Sequence, residues 1–481
     1  MKPALSTIER RLFRPIDPAS LAAFRVLFGL LMLVSAGRFF ANGWIDRFFV
    51  QPSFHFKYWG FSWVKAGPPW AMYLAFGVLA ALAALVTLGL FYRVAIVLFF
   101  LLFSYLQLID VTLYLNHYYL VSLLALLLVF VPAHATWSLD ARLRPRSIPA
   151  IALAEAGFAR RSQSAGGDGD PLRVPITTTP AFALYALRFQ VAVVYTSAGL
   201  AKLQSDWLLE AQPLNLWLTS LTDIPLLGPL LAQPAAPYIA AWAGFLFDST
   251  VALFLSWRRT RAVAFAAVLA FHLLTGLLFP IGMFPVIMIA AATVFFEPGW
   301  PRRWVRRLAP TPVPSPAPHA RWRHLAVAGF TVFALVQVVL PFRHHLYGGN
   351  VLWHEQGMRW SWRVMVREKN ASVTYVVLDP ASGRRWHVSP GQYLRDYQER
   401  DFATQPDLIW QLAQRIGHDF RQRVQGPVEV RADVQVSLNG RRAAPLIDPG
   451  TDLLKQSDGL APKPWILSAP RDRPPHLLAI Q

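Results

Sequence analysis

A lysine at the end of a long apolar run is the clearest chemical signal in the sequence. Residues 195–207 read YTSAGLAKLQSDW, and Lys202 ends an apolar run that begins near Ala181. Lysines near the end of a membrane span usually extend their charge to the interface, as snorkelling anchors. The preceding SAGLA favours tight helix packing, which would turn the amine inward. A desolvated amine loses its proton readily, so Lys202 is either an anchor or a general base.

Other polar residues stand at the ends of apolar runs. Asn116 and His117 occur in LYLNHYYL, FPIGMFP forms a turn at 279–285, and His272 lies one to two helical turns before that turn. Polar groups that converge from distant spans are typical of a membrane active site. Each also has a plain structural interpretation: Asn116 as a helix cap, His117 and His272 as hydrogen-bonding residues, and 279–285 as a tight turn.

The segment HEQGMRWSWRVMVR (354–367) concentrates aromatic and arginine residues. It is either an interfacial aromatic belt or a cleft for an anionic side chain, with Arg363 or Arg367 as its partner. Two further charges, Arg188 and Asp248, fall within apolar runs. Because isolated charges are costly in a membrane, we expect them to be paired, by default in structural ion pairs.

The elements that must position these residues are membrane helices. The chain has 481 residues, of which 54% are hydrophobic and 15% charged, too apolar for a soluble protein of this size. The pattern predicts an all-α polytopic bundle of about nine transmembrane helices. The predicted spans are 21–40, 71–90, 94–109, 118–133, 180–203, 236–256, 262–278, 283–296 and 325–341.

The distribution of positive charge predicts the orientation. With a cytoplasmic N-terminus, the inside segments carry 20 Lys and Arg residues, whereas the outside loops carry 3. This bias follows the positive-inside rule, and an odd number of spans then leaves the C-terminus extracytoplasmic. The excess of Lys and Arg in the inside segments also accounts for the formal net charge of +19, so no nucleic-acid partner is expected. The polar N-terminus indicates that the first span is not a cleavable signal.

The composition changes after Pro341, which divides the chain into a transmembrane domain (1–341) and a mixed, β-rich extracytoplasmic domain (342–481). Two strands are predicted at 371–379 and 383–389, a helix at 406–424, and a hairpin at 428–447 that turns at Asn439–Gly440. Two linkers are predicted, a Gly/Ser/Asp stretch and a proline-rich spacer. They lie at 162–171 and 309–320.

Several classes of chemistry are excluded or unsupported. The chain contains no cysteine, which rules out disulfides, thiol nucleophiles and thiolate metal sites. We find no metal-ligand spacing, phosphate-binding loop or serine-nucleophile motif above chance, so no metal is expected.

Taken together, these phrases resemble the vitamin K-dependent γ-glutamyl carboxylase family, including bacterial members that share its horizontally transferred transmembrane (HTTM) domain. They follow in family order over about 330 residues, in both domains. The matching stretches are 116–140, 195–207, 277–290, 340–366 and 436–449.

The resemblance implies a role for each candidate residue. Lys202 corresponds to the catalytic base, and Asn116 and His117 to residues that hold the quinol and stabilise its intermediate. Met283 and Phe284, in the 279–285 turn, are assigned with them to the cofactor site. The Ser361–Trp362 phrase, with Trp360 and Arg367, is assigned to the glutamate-substrate region. The chain departs from the animal pattern at Met358, Arg359 and Trp360, where that pattern has Tyr-Gly-Tyr, and at Arg367, which replaces a histidine.

The reaction implied by the resemblance is a lyase-class carboxylation. The lysine takes a proton from reduced vitamin K (phylloquinol or menaquinol), and the anion reacts with O2. The strongly basic product removes a γ-proton from glutamate, the carbanion attacks CO2, and the quinone leaves as its epoxide. The expected partners are the lipid bilayer and a glutamate-containing protein or peptide on the extracytoplasmic side. The expected membrane is a bacterial inner membrane.

Two alternatives remain open from the sequence. The first is a quinol epoxidase or monooxygenase that has lost glutamate carboxylation, and the altered residues near Trp362 leave this alternative open. The second is a non-enzymatic membrane scaffold or lipid-binding protein. Lys202 and the Asn116–His117 pair argue against a scaffold, because a scaffold needs no deprotonated amine.

Overall fold

The computed structural model describes residues 7–143, 178–304 and 319–477. The predicted linkers at 162–171 and, apart from its last two residues, 309–320 lie outside the described residues. Long apolar helices dominate the described part. The main ones are α1 (Ala19–Ala41), α2 (Pro69–Leu88), α3 (Tyr92–Gln107), α4 (Asn116–Phe130), α5 (Ala181–Ala201), α6 (Ala236–Ser256), α7 (Arg261–Leu278), α8 (Phe284–Ala292) and α9 (Ala320–Val339).

Six of these helices, α1, α2, α5, α6, α7 and α9, are long and apolar enough to cross a membrane. The chain is therefore an integral membrane protein. The other three predicted spans form the shorter apolar helices α3, α4 and α8. At 1.5 Å per residue, even the 16 residues of α3 extend only about 24 Å, less than a hydrocarbon core of about 30 Å. The total of about nine spans stays a prediction.

Short helical turns and a small sheet complete the bundle. Strands β1 (Pro15–Ile16) and β2 (Thr179–Pro180) pair antiparallel beside the start of α5. The short helices are Thr7–Leu12, Leu139–Leu143, Ser205–Leu208, Leu214–Leu218, Gly228–Leu231 and Val351–His354.

Helix α5 packs closely on α6, as its small residues predict. A Cβ atom added at Gly199 would lie 2.5 Å from Ser249 Oγ and 2.8 Å from Ser249 N. Only glycine allows the two backbones to approach so closely. This contact fixes the relative depth of the two helices, which decides what the side chains near the end of α5 can reach.

Two arginines of the bundle, one half-buried and one fully buried, bond to helix ends rather than to carboxylates. Arg188 was expected in an ion pair, and that expectation is wrong: its guanidinium donates to the carbonyl oxygens of Val294 and Phe296, each at 2.8 Å. Arg25 is fully buried and donates to the carbonyl of Val86 at the end of α2, at 2.7 Å. The last carbonyls of a helix have no partner within the helix, so a guanidinium satisfies them and matches the helix dipole.

The C-terminal region contains a four-stranded antiparallel sheet in the order β4 (Arg385–Val388), β3 (Lys369–Leu378), β5 (Glu429–Leu438) and β6 (Ala444–Pro445). The predicted strand pair and the predicted helix are confirmed, and so is the hairpin, whose turn has positive φ at Asn439 and Gly440. The elements are β3 (Lys369–Leu378), β4 (Arg385–Val388), α10 (Asp396–Phe402), α11 (Pro406–Val424), β5 (Glu429–Leu438) and β6 (Ala444–Pro445).

The apolar face of α11 covers the sheet, and the domain lies on one end of the bundle. Asp110, in the loop between α3 and α4, accepts a hydrogen bond from Gln398 of α10 at 2.9 Å. Asp206, after α5, accepts from Arg441 after β5 at 2.7 Å. Loops that the charge pattern assigns to one side of the membrane thus contact the same domain. We call this end of the bundle the domain end.

Candidate active site

The Lys202 side chain points into the bundle. It follows the last residue of α5, and only 6% of the side chain is exposed. Its Nζ lies 2.6 Å from Asp248 Oδ2 on α6 and donates to the Ala198 carbonyl at 3.3 Å. The ring of Trp207 stands 5.2 Å from the amine. The interpretation of Lys202 as a snorkelling anchor is therefore wrong, because its charge is buried and paired.

The polypeptide beyond Lys202 covers the amine. Asp248 stands twelve residues into α6, about 18 Å along the helix from its start. The short helix Ser205–Leu208 folds back, and Trp207 Nε1 donates to the Ala241 carbonyl at 2.8 Å. The Lys202–Asp248 pair thus lies below the domain end rather than at its surface.

A line of polar and aromatic side chains runs from Lys202 across the bundle. Tyr195 precedes Lys202 by seven residues, two turns earlier on the same face of α5. Its hydroxyl lies 2.9 Å from His272 Nε2 on α7. Phe284, at the start of α8, has its ring 6.0 Å from His272 and 6.1 Å from His117. The buried Nδ1 of His272 has no hydrogen-bond partner among the described residues.

Asn116 is tied to the C-terminal domain rather than acting as a cap. Leu115 occupies the cap position of α4, and no side chain caps this helix. The Asn116 Oδ1 accepts from the Tyr114 hydroxyl at 3.0 Å, and that hydroxyl accepts from the Trp360 N–H at 2.8 Å. A chain of two hydrogen bonds therefore joins a predicted quinol residue to the predicted glutamate region.

Residues 358–366, which we call the Trp segment, insert into the domain end. Trp362 is fully buried and stacks on Tyr119 of α4, with ring centroids 4.8 Å apart. Trp360, Trp362 and Met365 have φ values of 62°, 58° and 52°. Bulky residues rarely adopt this left-handed conformation, which persists only where surrounding packing imposes it. Such strain is common at functional sites.

A cavity of about 720 Å³ lies at the end of α5, and Lys202 itself does not line it. Its walls include Ala201 and Leu203, the neighbours of Lys202 in sequence, and Ser361 and Arg363 of the Trp segment. Arg363 Nη2 lies 2.9 Å from His344 Nε2, whereas its buried Nε has no hydrogen-bond partner among the described residues. Burial lowers the pKa of Arg363 to about 10, so it remains a cation at neutral pH.

Arg367 lies apart from this cavity. Its guanidinium pairs with Glu355 Oε1 at 3.0 Å, and the same oxygen accepts from Lys369 Nζ at 2.9 Å. Burial lowers the pKa of Lys369 to about 8, against the attraction of Glu355. Of the two arginines named from the sequence, Arg363 is therefore the one that faces open space.

Met283 directly precedes α8 and packs against the bundle core beside Phe284.

Two protein-family models match the chain. The model described as "Vitamin K-dependent gamma-carboxylase, lumenal domain" matches residues 322–472. The HTTM domain model matches residues 13–153 and 172–300, more than half of the chain. The chain belongs to the vitamin K-dependent gamma-carboxylase family. No solved structure matches it significantly.

In this gamma-carboxylase-like membrane protein, the candidate site joins the two matched regions. Lys202, Asp248 and the start of α4 fall in the HTTM region, and the Trp segment falls in the lumenal-domain region. Neither region contains both sets of residues. A site built this way requires the two regions to dock on each other.

Sequence reasoning missed several residues of the site in this carboxylase family member. Asp248 was recognised as a charge that needs a partner, but not as the partner of Lys202. Tyr114 and Tyr119, which contact the Trp segment, gave no signal because tyrosines are common at membrane interfaces. His344 was missed as well, since only its contact with Arg363 makes it notable.

Proposed function

We propose that this protein is a vitamin K-dependent γ-glutamyl carboxylase that couples oxidation of a reduced naphthoquinone by O2 to carboxylation of glutamate. The observation that carries the proposal is the buried, carboxylate-paired Lys202 amine, whose sequence neighbours Ala201 and Leu203 line a cavity together with Ser361 and Arg363 of the Trp segment. A scaffold gains nothing from a buried charge pair, because apolar side chains of similar volume stabilise at least as well.

The residues at the proposed quinol site suit a flat ring with two hydroxyl groups. His117, Met283 and Phe284 supply apolar and aromatic surface, and Asn116 and Lys202 supply polar atoms at its edge. Two buried nitrogens, His272 Nδ1 and Trp362 Nε1, lack hydrogen-bond partners among the described residues. Buried polar atoms are normally satisfied, so unpaired ones support a polar ligand. Reduced vitamin K, when bound, supplies the oxidisable ring and the strong base that the reaction needs.

The protein's own contribution is proton transfer and the exclusion of water. Lys202 Nζ accepts a proton from a ligand hydroxyl, and Asp248 holds the amine in position at 2.6 Å. Trp207 covers the amine, and its indole is fixed by the Ala241 carbonyl. A site closed in this way keeps water protons from a carbanion and strengthens each electrostatic interaction inside it.

We assign glutamate binding to the cavity beside the Trp segment. Arg363 lines this cavity, its buried Nε has no hydrogen-bond partner among the residues that the structure describes, and a guanidinium is the group that best matches a carboxylate. Ser361 lies on the same wall. Trp360 and Trp362 fix the backbone around them through their stacking contacts. Arg367, held by Glu355, supports this wall rather than contacting the substrate.

We further propose that the N-terminus is cytoplasmic and that the domain end is extracytoplasmic, in a bacterial inner membrane. The 20 to 3 distribution of Lys and Arg supports this orientation. A glutamate-containing protein or peptide would then reach the cavity from outside the cell, while the quinol, O2 and CO2 reach the site through or from the bilayer.

One observation favours a second candidate, a quinol epoxidase that does not carboxylate glutamate. Arg367, assigned by resemblance to the glutamate region, is already neutralised by Glu355. If Arg363 alone cannot hold the substrate, the quinol half of the reaction would remain without the carboxylation half.

The test separates these functions in a single assay. The purified protein is incubated in nanodiscs with reduced vitamin K, labelled bicarbonate and a glutamate peptide, and both epoxide and fixed label are measured. We expect both products. Epoxide without fixed label would show a quinol epoxidase rather than a carboxylase. The absence of both products would favour the non-enzymatic scaffold.

A further inference from the structure

The Lys202–Asp248 pair raises a question about how the lysine can act as a base. An amine that already holds its full complement of protons cannot accept another. Nζ lies 2.6 Å from Asp248 Oδ2, a distance typical of a charge-assisted hydrogen bond between a cation and a carboxylate. Lys202 therefore rests as the protonated member of an ion pair, unlike a solitary buried amine, which sheds its proton.

We propose that Asp248 takes the proton of Lys202 when the amine accepts one from a hydroxyl of the bound quinol. The inference rests on the proposed function and adds a residue to it. One N–H bond of Lys202 breaks as an O–H bond forms on Asp248. The hydroxyl O–H bond breaks as a new N–H bond forms on Lys202. No electrons are transferred to the protein, and the pair gains one proton.

This relay leaves the positive charge where it is most useful. The amine is a cation before and after the step, so it faces the oxygen that becomes negative as its proton leaves. Fixed charges aimed at developing charge in a dry site are among the strongest catalytic devices of enzymes. Asp248 acts through Lys202 and is a positioning residue with a proton-holding role.

The other polar groups around the Lys202–Asp248 pair are not placed to accept the proton of Lys202. Tyr195 on α5 and His272 on α7 bond to each other at 2.9 Å. Asp206, beyond α5, has its carboxylate occupied by Arg441 and Asn439. From the loop after α5, the Trp207 ring lies 5.2 Å from the amine, and an indole cannot accept the proton. Among the described residues, Asp248 is the carboxylate that forms an ion pair with Lys202.

The first measurement needs no quinol. Ligand-free protein in nanodiscs is reductively methylated across a pH series, and methylation of Lys202 is read by mass spectrometry. Without the carboxylate, the buried amine should be neutral at lower pH, so we expect at least ten-fold more labelling at pH 7 in Asp248→Asn than in the wild type. Thr250→Val, two residues further along α6, is the matched control, and the exposed Lys65 calibrates the reagent in each sample.

The second measurement is the pH profile of epoxide formation. In the wild type, activity falls in acid once Asp248 is protonated before the reaction. In Asp248→Asn the acceptor is the amine alone, which binds protons more tightly than a carboxylate. We expect its acid limb to lie at higher pH by about one unit or more, and Asp248→Glu to keep the wild-type profile.

The outcomes distinguish this inference from the proposed function. Identical Lys202 labelling in the wild type and Asp248→Asn, or epoxide profiles that coincide, would overturn the role of Asp248 while leaving the function intact. A labelling difference without epoxide from the wild type would overturn the proposed function, and the relay with it, and leave only a structural ion pair.

Discussion

At the scale of single residues, the site depends on two cations with different surroundings. Lys202 is buried and paired with Asp248, whereas Arg363 lines a cavity and its buried Nε has no hydrogen-bond partner in the described part of the chain. The first arrangement suits proton transfer inside the bundle, and the second suits recognition of an anion from outside it. Each can be tested by a substitution that removes one charge.

Removing Lys202 should abolish epoxide formation and also lower stability. In Lys202→Ala, Asp248 stays buried without its partner, and breaking a buried pair in this way costs about 3–5 kcal/mol. The double variant Lys202→Met/Asp248→Leu replaces both charges with apolar groups, so its melting temperature should return towards that of the wild type without any activity. Epoxide assays and thermal unfolding in detergent, with membrane fractionation as the insertion control, check this. Normal turnover by Lys202→Ala would show that it is not the base.

Removing Arg363 should impair the use of the peptide rather than of the quinol. Losing one charge-assisted hydrogen bond costs about 1.5–3 kcal/mol, so Arg363→Gln should raise the KM for a glutamate peptide roughly 10- to 100-fold. The kcat should change little. Arg421→Gln, an exposed substitution on α11, is the matched control. The KM is measured from label fixation at varied peptide concentration. An unchanged KM would place glutamate binding elsewhere.

At the scale of elements, the site is assembled by contacts between segments far apart in sequence. The Trp segment contacts the start of α4 through the Trp360–Tyr114 hydrogen bond and the Trp362–Tyr119 stack. The short helix Ser205–Leu208 after α5 contacts the turn after β5 through Asp206 and Arg441. Helix and hairpin packing inside each region positions these contacts, so the site depends on the docking of both regions.

Features that depend on local sequence patterns could be predicted from the sequence, whereas contacts between residues far apart in the chain could not. Apolar runs, the α11 periodicity and the Asn439–Gly440 turn are local patterns, and the structure confirms those elements. The small residues before Lys202 predicted its inward orientation. The Lys202–Asp248 and Trp360–Tyr114 contacts join residues 46 and 246 positions apart. A single sequence holds no signal for such pairings, so it names no partner for Asp248 and predicts an ion pair for Arg188, which instead donates to backbone carbonyls.

The contact between Asp206 and Arg441 should make docking sensitive to acid. Although burial raises the pKa of Asp206, hydrogen bonds from Arg441 and Asn439 outweigh it and bring this pKa below its ordinary value. A carboxylate whose pKa is lower in the folded state stabilises the fold at pH above its unfolded value, about 3.9, and this contribution disappears as the pH falls through the folded value.

Asp206→Asn should therefore melt below the wild type at pH 7, and the difference should shrink as the pH falls below about 4. Both partners are about nine-tenths buried, so a difference of about 3–5 kcal/mol at pH 7 is expected. Melting temperatures in detergent between pH 3 and pH 7 measure it, with the exposed Asp458→Asn as the control. A difference that is constant across this range would mean that ionisation of Asp206 does not support docking.

At the scale of the whole molecule, charges and contacts separate the two ends of the bundle. The C-terminal domain contacts loops at the domain end through Lys57, Asp110 and Asp206. At the opposite end, Arg302 pairs with Asp17, and Asp140 accepts hydrogen bonds from the start of α3. The proposed orientation assigns this second end to the cytoplasm, because most of the Lys and Arg residues of the connecting segments belong to it.

The absence of cysteine from the sequence permits a direct test of this orientation. Ala381→Cys places a thiol on an exposed turn of the C-terminal domain, and Leu143→Cys places one at the opposite end, where the native side chain is 69% exposed. In bacterial spheroplasts, a membrane-impermeant maleimide should label Ala381→Cys before lysis and Leu143→Cys only after it. The cysteine-free parent controls for background. Labelling in the reverse order would put the cavity on the cytoplasmic side and require a cytoplasmic glutamate substrate.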